Sequence, residues 1–218
     1  MPAPSFSPKE IAEGRRLFAG EWRFVYAAGS VGSLPPQRGV EVAFAGRSNV
    51  GKSSLVNALT GRNGLARISH TPGRTQELNF FSAGDRWKLV DMPGYGYAAA
   101  AKTKVAAWTE LIRAYLRGRA NLGRVYVLVD ARHGIKAPDE AVFDLLDEAA
   151  VSYQVVLTKA DQVTGEALAQ VRDTTAAALA KRKAAYPEVL ATSARDRSGI
   201  VELRAAVAKL VAERGQRG

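Results

Sequence analysis

Two short stretches carry residue types that suit phosphate chemistry. Residues 46–53 read GRSNVGKS, a glycine-rich turn ending in Lys-Ser, and residues 91–94 read DMPG, an acid followed by a Pro-Gly turn. Gly46 and Gly51 permit close backbone approach, so the N–H groups of Arg47, Ser48, Asn49 and Val50 and the start of a following helix can surround a phosphate chain. Lys52 would reach the β- and γ-phosphates, and Ser53 Oγ would bind Mg²⁺. Asp91 would hold the Mg²⁺ shell through a water, with Met92 and Pro93 leading to Gly94, whose N–H can sense a γ-phosphate. Between the two stretches, TPGRTQ at 71–76 offers Thr75 as a second hydroxyl for Mg²⁺.

A second pair of stretches suits a base. In TKAD, residues 158–161, Asp161 could accept paired hydrogen bonds from guanine N1–H and N2–H₂, whereas adenine presents an acceptor at N1 and no amine. A carboxylate left unpaired in such a pocket is costly, so this geometry would reject ATP. Lys159 would lay its aliphatic stem along the base, with Ala160 between them. Thr192, Ser193 and Ala194 follow the next strand-like run, and the Ala194 N–H can meet guanine O6. A lone [TN]KxD is a weak signal; four motifs in fixed order are a strong one.

These motifs need strands to deliver them and helices to follow. Residues 40–46, VEVAFAG, read as a buried strand running into Gly46, and KSSLVNALTG reads as the helix after the loop. Apolar, β-branched runs recur at 87–92, 125–130, 153–158 and 188–193. Helical periodicity fills most of the intervals, at 105–116, 163–185 and 199–213. Strand and helix in alternation predict an α/β fold with a mostly parallel central sheet and helices on both faces. One interval departs from this rhythm. QELNFFSAGDRWKLVDM holds two strand-like runs joined by Ser-Ala-Gly-Asp, too short for a crossover helix, and predicts an antiparallel hairpin. The expected organisation is a flexible segment over 1–22, one domain over 23–214 and a tail over 215–218; WRFVYAAG and SVGSLPPQRG read as an extra segment laid along the core.

Composition bounds the class. At 218 residues the chain suits one large domain, and its 47% hydrophobic and 24% charged residues are ordinary for a globular protein. No apolar run approaches the roughly 18 residues of a membrane span. Acids at Glu10, Glu13 and Glu21 interrupt any export signal, and the absence of cysteine excludes disulfides and thiolate metal sites, so the expected location is the cytoplasm. The 31 Lys and Arg against 21 Asp and Glu leave a charge of +10, which favours polyanions. Basic residues gather at Lys102, Lys104, Arg113, Arg117, Arg119 and Arg124 and again at Lys181, Arg182 and Lys183, whereas 138–149 is acidic. Such asymmetry fits docking on an RNA-rich particle through phosphate contacts.

Taken together, GRSNVGKSS, TPGRTQ, DMPGYGYA, VLVDARHG, VLTKADQV and TSA make the sequence resemble the EngB family, also called YsxC or YihA, of bacterial ribosome-assembly P-loop GTPases, over about residues 23–211. The resemblance implies Gly46 to Ser53 for phosphates, and Ser53 and Thr75 for Mg²⁺. It implies Gly73, Arg74, Thr75, Gln76 and Glu77 as a first switch, residues 91–94 as the γ-phosphate sensor, and residues 158–161 and 192–194 for guanine. Its further implications are GTP hydrolysis, a role with the large ribosomal subunit or its precursor, and a link to cell division and septation. A monomer is the default expectation.

Two departures bear on mechanism. Thr158 stands where the general GTPase pattern has Asn, which removes an amide able to tie the base loop to the phosphate loop and implies micromolar-type affinity. Tyr95 stands where Ras-like enzymes place a water-orienting glutamine, and a phenol cannot both donate to and accept from the water as a carboxamide does, so intrinsic hydrolysis should be slow. Tyr95 and Tyr97 read instead as contacts for a partner or RNA. Asn49 has two readings that remain open: it suits the turn, or, as in GTPases resembling this one, it helps hold K⁺ beside the β–γ bridging oxygen. Two other classes also stay open, a P-loop kinase and a non-catalytic RNA-binding module that uses GTP as a structural ligand.

Overall fold

In the computed structural model, residues 5–66, 77–95 and 102–216 are described, with only the backbone given for 102–108. The first helix, α1 (Pro8–Phe18), starts where a helix start is encoded: Ser7 accepts the Glu10 N–H, Glu10 reaches back to the Ser7 N–H at 2.8 Å, and Pro8 opens the first turn. Next come β1 (Arg23–Ala28), β2 (Val40–Gly46), α2 (Lys52–Thr60), β3 (Leu78–Ser82), β4 (Trp87–Asp91) and α3 (Lys102–Gly118). The chain continues with β5 (Leu122–Asp130), α4 (Ala137–Glu148), β6 (Tyr153–Thr158), α5 (Gly165–Leu179), β7 (Leu190–Ala191) and α6 (Ile200–Gly215).

The strands form one seven-stranded sheet in the order β1-β3-β4-β2-β5-β6-β7 among the described residues. Pairing is parallel from β4 through β7, and β3 is antiparallel to both β4 and β1, so one strand runs against the other six. The hairpin expected around Ser-Ala-Gly-Asp is β3–β4. The run from 23 to 28, expected along the core, is the edge strand, with an irregularity between Phe24 and Tyr26 that interrupts its ladder. The strand expected over 188–193 shortens to two residues, Leu190 and Ala191.

Alternation along the central strands sorts side chains to two cores. On β2, Val42 and Phe44 enter one core and Ala43 and Ala45 the other; on β5, Tyr126 and Leu128 oppose Val125, Val127 and Val129. Helices α2 and α6 cover the first face, and α3, α4 and α5 the second. Both faces are therefore covered, which is why the central strands read as largely apolar runs, with Glu41, Arg124 and Gln154 near their starts. No helix of the described residues is long and apolar enough to cross a membrane.

The expectation of a flexible lead over 1–22 is corrected for residues 8–22. Phe18 and Trp22 are buried with Trp87 in a three-ring cluster, at centroid separations of 5.1–5.6 Å. The charged residues that interrupt the apolar ones here are the outer face of an amphipathic helix docked on α6, not a sign of disorder. The crossing depends on Gly14, where an added Cβ would lie 2.6 Å from the Ala205 backbone nitrogen. Gly14→Ala should therefore lower stability by about 1–3 kcal/mol despite its better helix propensity, read as a lower urea midpoint with an unchanged slope.

Candidate functional site

β2 delivers Gly46 to the loop, and α2 begins at Lys52. A Cβ at Gly46 would meet Val50 Cγ1 at 2.7 Å and Leu128 Cβ at 3.0 Å, so the first loop position must be glycine for packing reasons alone. Gly51 has φ +100°, a conformation that favours glycine, and Asn49 has φ +65°, which asparagine tolerates better than most residues. Ser53 lies half-buried in the first turn of α2. Lys52 Nζ donates to Asp91 Oδ1, and both side chains are largely buried. A single acid and a single hydroxyl suit Mg²⁺, which keeps several waters and takes further oxygens from phosphates; no cluster of three or more His, Cys, Asp or Glu occurs among the described residues.

DMPG lies against this loop. The Met92 N–H donates to the Phe44 carbonyl at 2.9 Å; Met92 and Pro93 are buried and Gly94 is exposed. A Cβ on Gly94 would approach Ser48 Oγ at 3.1 Å and Ser48 N at 3.3 Å. Tyr95 then forms a backbone bridge to the loop, donating to the Gly46 carbonyl at 3.3 Å and accepting from the Ser48 N–H at 3.2 Å. The expectation that Tyr95 faces a partner is corrected: its side chain is 7% exposed, and its hydroxyl donates to Asp139 Oδ1 at 2.9 Å. Burial, reinforced by the adjacent Asp139 charge, pushes the phenol well above its ordinary pKa and keeps it a donor. Asp139 also accepts the Lys136 N–H at 2.9 Å at the start of α4 and lies 3.4 Å from Arg47 Nε. Arg47 therefore directs its guanidinium to Asp139, and its place in the phosphate motif is a matter of backbone. Tyr97 and residues 73–76, including Gly73, Arg74, Thr75 and Gln76, lie outside the described residues; Glu77 is exposed.

On the base side, Thr158 ends β6 and donates Oγ1–H to the Val50 carbonyl at 2.7 Å. The expected loss of a tie between base loop and phosphate loop is thus corrected: the hydroxyl is short, but the loops are close enough for it to reach. Lys159 adopts φ +57° and sends its ammonium to the Asn49 carbonyl at 2.8 Å and to Asp130 Oδ2 at 2.9 Å. Its stem passes Gly51, whose added Cβ would lie 3.8 Å from Lys159 Cε. The Ala160 N–H bonds the Thr192 carbonyl at 3.1 Å, which joins the two base motifs. Ser193 Oγ accepts from the Arg195 and Asp196 N–H groups and shapes the turn that follows. Asp161 is exposed in a short 3₁₀ turn. A cavity of about 300 Å³ opens here between Gly51, Thr158, Lys159, Asp161, Thr192 and Ala194.

Two residues of the site, Asp139 and Asp130, escaped sequence reasoning. Asp139 has no motif signal as the partner of Tyr95, 44 positions away. Asp130 had one: an acid closing an apolar strand, as Asp91 does. Arg132 grips Asp130 through Nε at 2.9 Å and Nη2 at 2.7 Å, so one carboxylate serves two cations. Burial alone would raise the Asp130 carboxyl, but hydrogen bonds from Arg132 and Lys159 hold it well below the usual carboxylate range. A depressed folded pKa contributes stability above the unfolded value, near 4, and loses it as pH falls further. Asp130→Asn should accordingly flatten the acid limb of stability below about pH 4 and, by freeing Lys159, weaken binding of a fluorescent GDP several-fold at pH 7. An acid limb identical to that of the unsubstituted chain would contradict this.

Comparison with known proteins converges on one family. Residues 41–159 match the family described as 50S ribosome-binding GTPase, and residues 110–213 match the elongation factor Tu GTP binding domain. The chain is 65% identical over 209 residues to "Probable GTP-binding protein EngB" of Rhodopseudomonas palustris (strain BisA53), covering 95% of this chain and 97% of that protein. It is 63% identical over 208 residues to the protein of the same name from Bradyrhizobium diazoefficiens, covering 94% and 96%. Among solved structures, a crystal structure of a probable GTP-binding protein engB superimposes with TM-score 0.63 at 24% identity, over 80% of this chain and 100% of the other. Era in complex with MgGDPNP and nucleotides 1506-1542 of 16S ribosomal RNA gives TM-score 0.63 at 20% identity, over 80% and 57%. These two structures speak to the fold, and the full-length relatives speak to the family: the chain belongs to the EngB family of GTP-binding proteins.

Proposed function

We propose that the protein is a Mg²⁺-dependent GTP switch that hydrolyses GTP to GDP and phosphate and acts in assembly of the large ribosomal subunit, and that, as the family resemblance implies, it is required for normal cell division and septation. The observation that carries the reading is the continuity of the site. Lys52 and Asp91 lie at one end of the phosphate loop, and the Asp161 cavity, which Gly51 of that loop also lines, lies at the other, with the Thr158 bond to Val50 tying the two loops together.

In this reading the phosphate-loop N–H groups and Lys52 hold the triphosphate and stabilise charge that develops on in-line attack by water. Ser53, Thr75 and, through water, Asp91 would hold Mg²⁺, which when bound neutralises charge on the β- and γ-phosphates. Tyr95 cannot orient the attacking water, because its hydroxyl is committed to Asp139. Completion of the catalytic set would then come from Thr75 and its loop, from a docked particle, or from K⁺ at Asn49. The φ of +65° at Asn49 is sufficient reason for an asparagine there, so the turn reading has a structural basis of its own.

The case for RNA is narrower than the sequence suggests. Arg119 is buried against Glu41, Arg124 lies 3.8 Å from the Tyr186 ring centroid, Arg117 pairs with Glu148, and Arg182 pairs with Glu140 and Asp144. Arg113, Lys181 and Lys183 stay exposed, and the net charge of +10 remains as long-range attraction.

Two measurements test the reading. Phosphate released from GTP should be slow for the protein alone and should rise with ribosomal particles, measured in K⁺ and in Na⁺; equal rates in both salts would remove the K⁺ role. On sedimentation with large subunits, the form bound to a non-hydrolysable GTP analogue should co-migrate and the GDP form should not. Equal co-migration would favour the non-catalytic RNA-binding module.

A further inference from the structure

The exposed Gly94 and its neighbour Tyr95 occupy a place where two demands conflict. Gly94 is packed on Ser48, and Tyr95 is fastened to the loop at three points: its N–H to Gly46, its carbonyl to the Ser48 N–H, and its hydroxyl to Asp139. Asp139 is itself immobile. Its carboxylate is fully buried, takes the Lys136 N–H at the start of α4, and faces the Arg47 guanidinium at 3.4 Å. Meanwhile Lys52 donates to Asp91. The α- and β-phosphates of a nucleotide meet the loop at its helix end, near Gly51, Lys52 and Ser53. A γ-phosphate sensed by Gly94 must enter between Gly94 and the loop, so it requires the DMPGY segment to part from Ser48.

We propose that Tyr95 and Asp139 form a latch that holds the γ-phosphate sensor down on the phosphate loop, and so discriminates against GTP relative to GDP. This rests on the GTP-switch reading. Asp139 is a positioning residue: it touches no substrate and acts through Tyr95. The latch also gives the nucleotide state a route to α4. Opening it removes one of the two hydrogen bonds on the carboxylate that caps that helix, and α4 carries the acids Glu140 and Asp144 that grip Arg182.

The test compares the full chain with Tyr95→Phe, Asp139→Asn and the double variant, by titration with fluorescent GDP and a fluorescent non-hydrolysable GTP analogue. Tyr95→Phe keeps the ring and its packing and removes only the hydroxyl. It should shift the ratio of the two dissociation constants toward GTP by about ten-fold, the low end of the range for one hydrogen bond to a charged acceptor, with GDP affinity nearly unchanged. The double variant should shift the ratio no further than Tyr95→Phe alone, since Asp139 acts on the sensor only through the tyrosine hydroxyl. A merely structural role would lower both affinities together and leave the ratio alone. An unchanged ratio in Tyr95→Phe, or a shift toward GDP, would overturn the latch. Failure of the unsubstituted protein to bind the GTP analogue at all would overturn the functional reading beneath it.

Discussion

β2 lies between β4 and β5 with Phe44 opposite Asp91 on one side and Gly46 opposite Leu128 on the other, and each group of the site takes its level from that pairing. β5 passes the same level to β6, where Asp130 is opposite Thr158. The carboxyl ends of four neighbouring strands therefore present, in one row, an acid for the phosphate end, the glycine that opens the loop, an acid for Lys159 and the hydroxyl that ties the loops together. A slip of one residue in β2 would turn Phe44 and Val42 to the opposite core and move Gly46 off Leu128, where nothing larger fits. Burial of both sheet faces makes such a slip costly, so the packing of the interior and the geometry of the site are one specification.

Within that frame, four cations near the site face acids of the same framework. Lys52 has Asp91, Lys159 and Arg132 share Asp130, and Arg47 faces Asp139. This pairing keeps long flexible side chains in place in a partly dry groove, where an unpaired charge would be expensive. In the proposed GTP switch, phosphates and Mg²⁺ would have to compete with these internal partners.

The motifs were legible in the sequence because they are local: GRSNVGKS, DMPG, TKAD and TSA each occupy a single strand-to-loop junction, and alternation of strand and helix was enough to order them along one edge. The hairpin of β3 and β4 was legible for the same reason. What could not be read were choices made between distant segments. Tyr95 has the composition of a contact surface, and only the position of α4 shows that it is buried. Thr158 looks like a lost amide until the Val50 carbonyl is found within reach. Arg119 counts toward a basic surface until Glu41 is found beneath it, and the segment before residue 23 reads as a flexible lead until α6 is placed against Gly14. Residue type told what each group could do, and tertiary packing decided which of those options was used.

The central claim is that the row of strand ends reads guanine through Asp161, in the exposed turn just after β6. Xanthine replaces the N2 amine of guanine with a carbonyl, so an amide at position 161 should meet it with a donor where the carboxylate met an amine. Titration of Asp161→Asn with GDP and with xanthosine diphosphate tests this directly. The account predicts a loss of GDP affinity of about 100-fold and a gain for xanthosine diphosphate. Unchanged GDP affinity with no gain for xanthosine would contradict it.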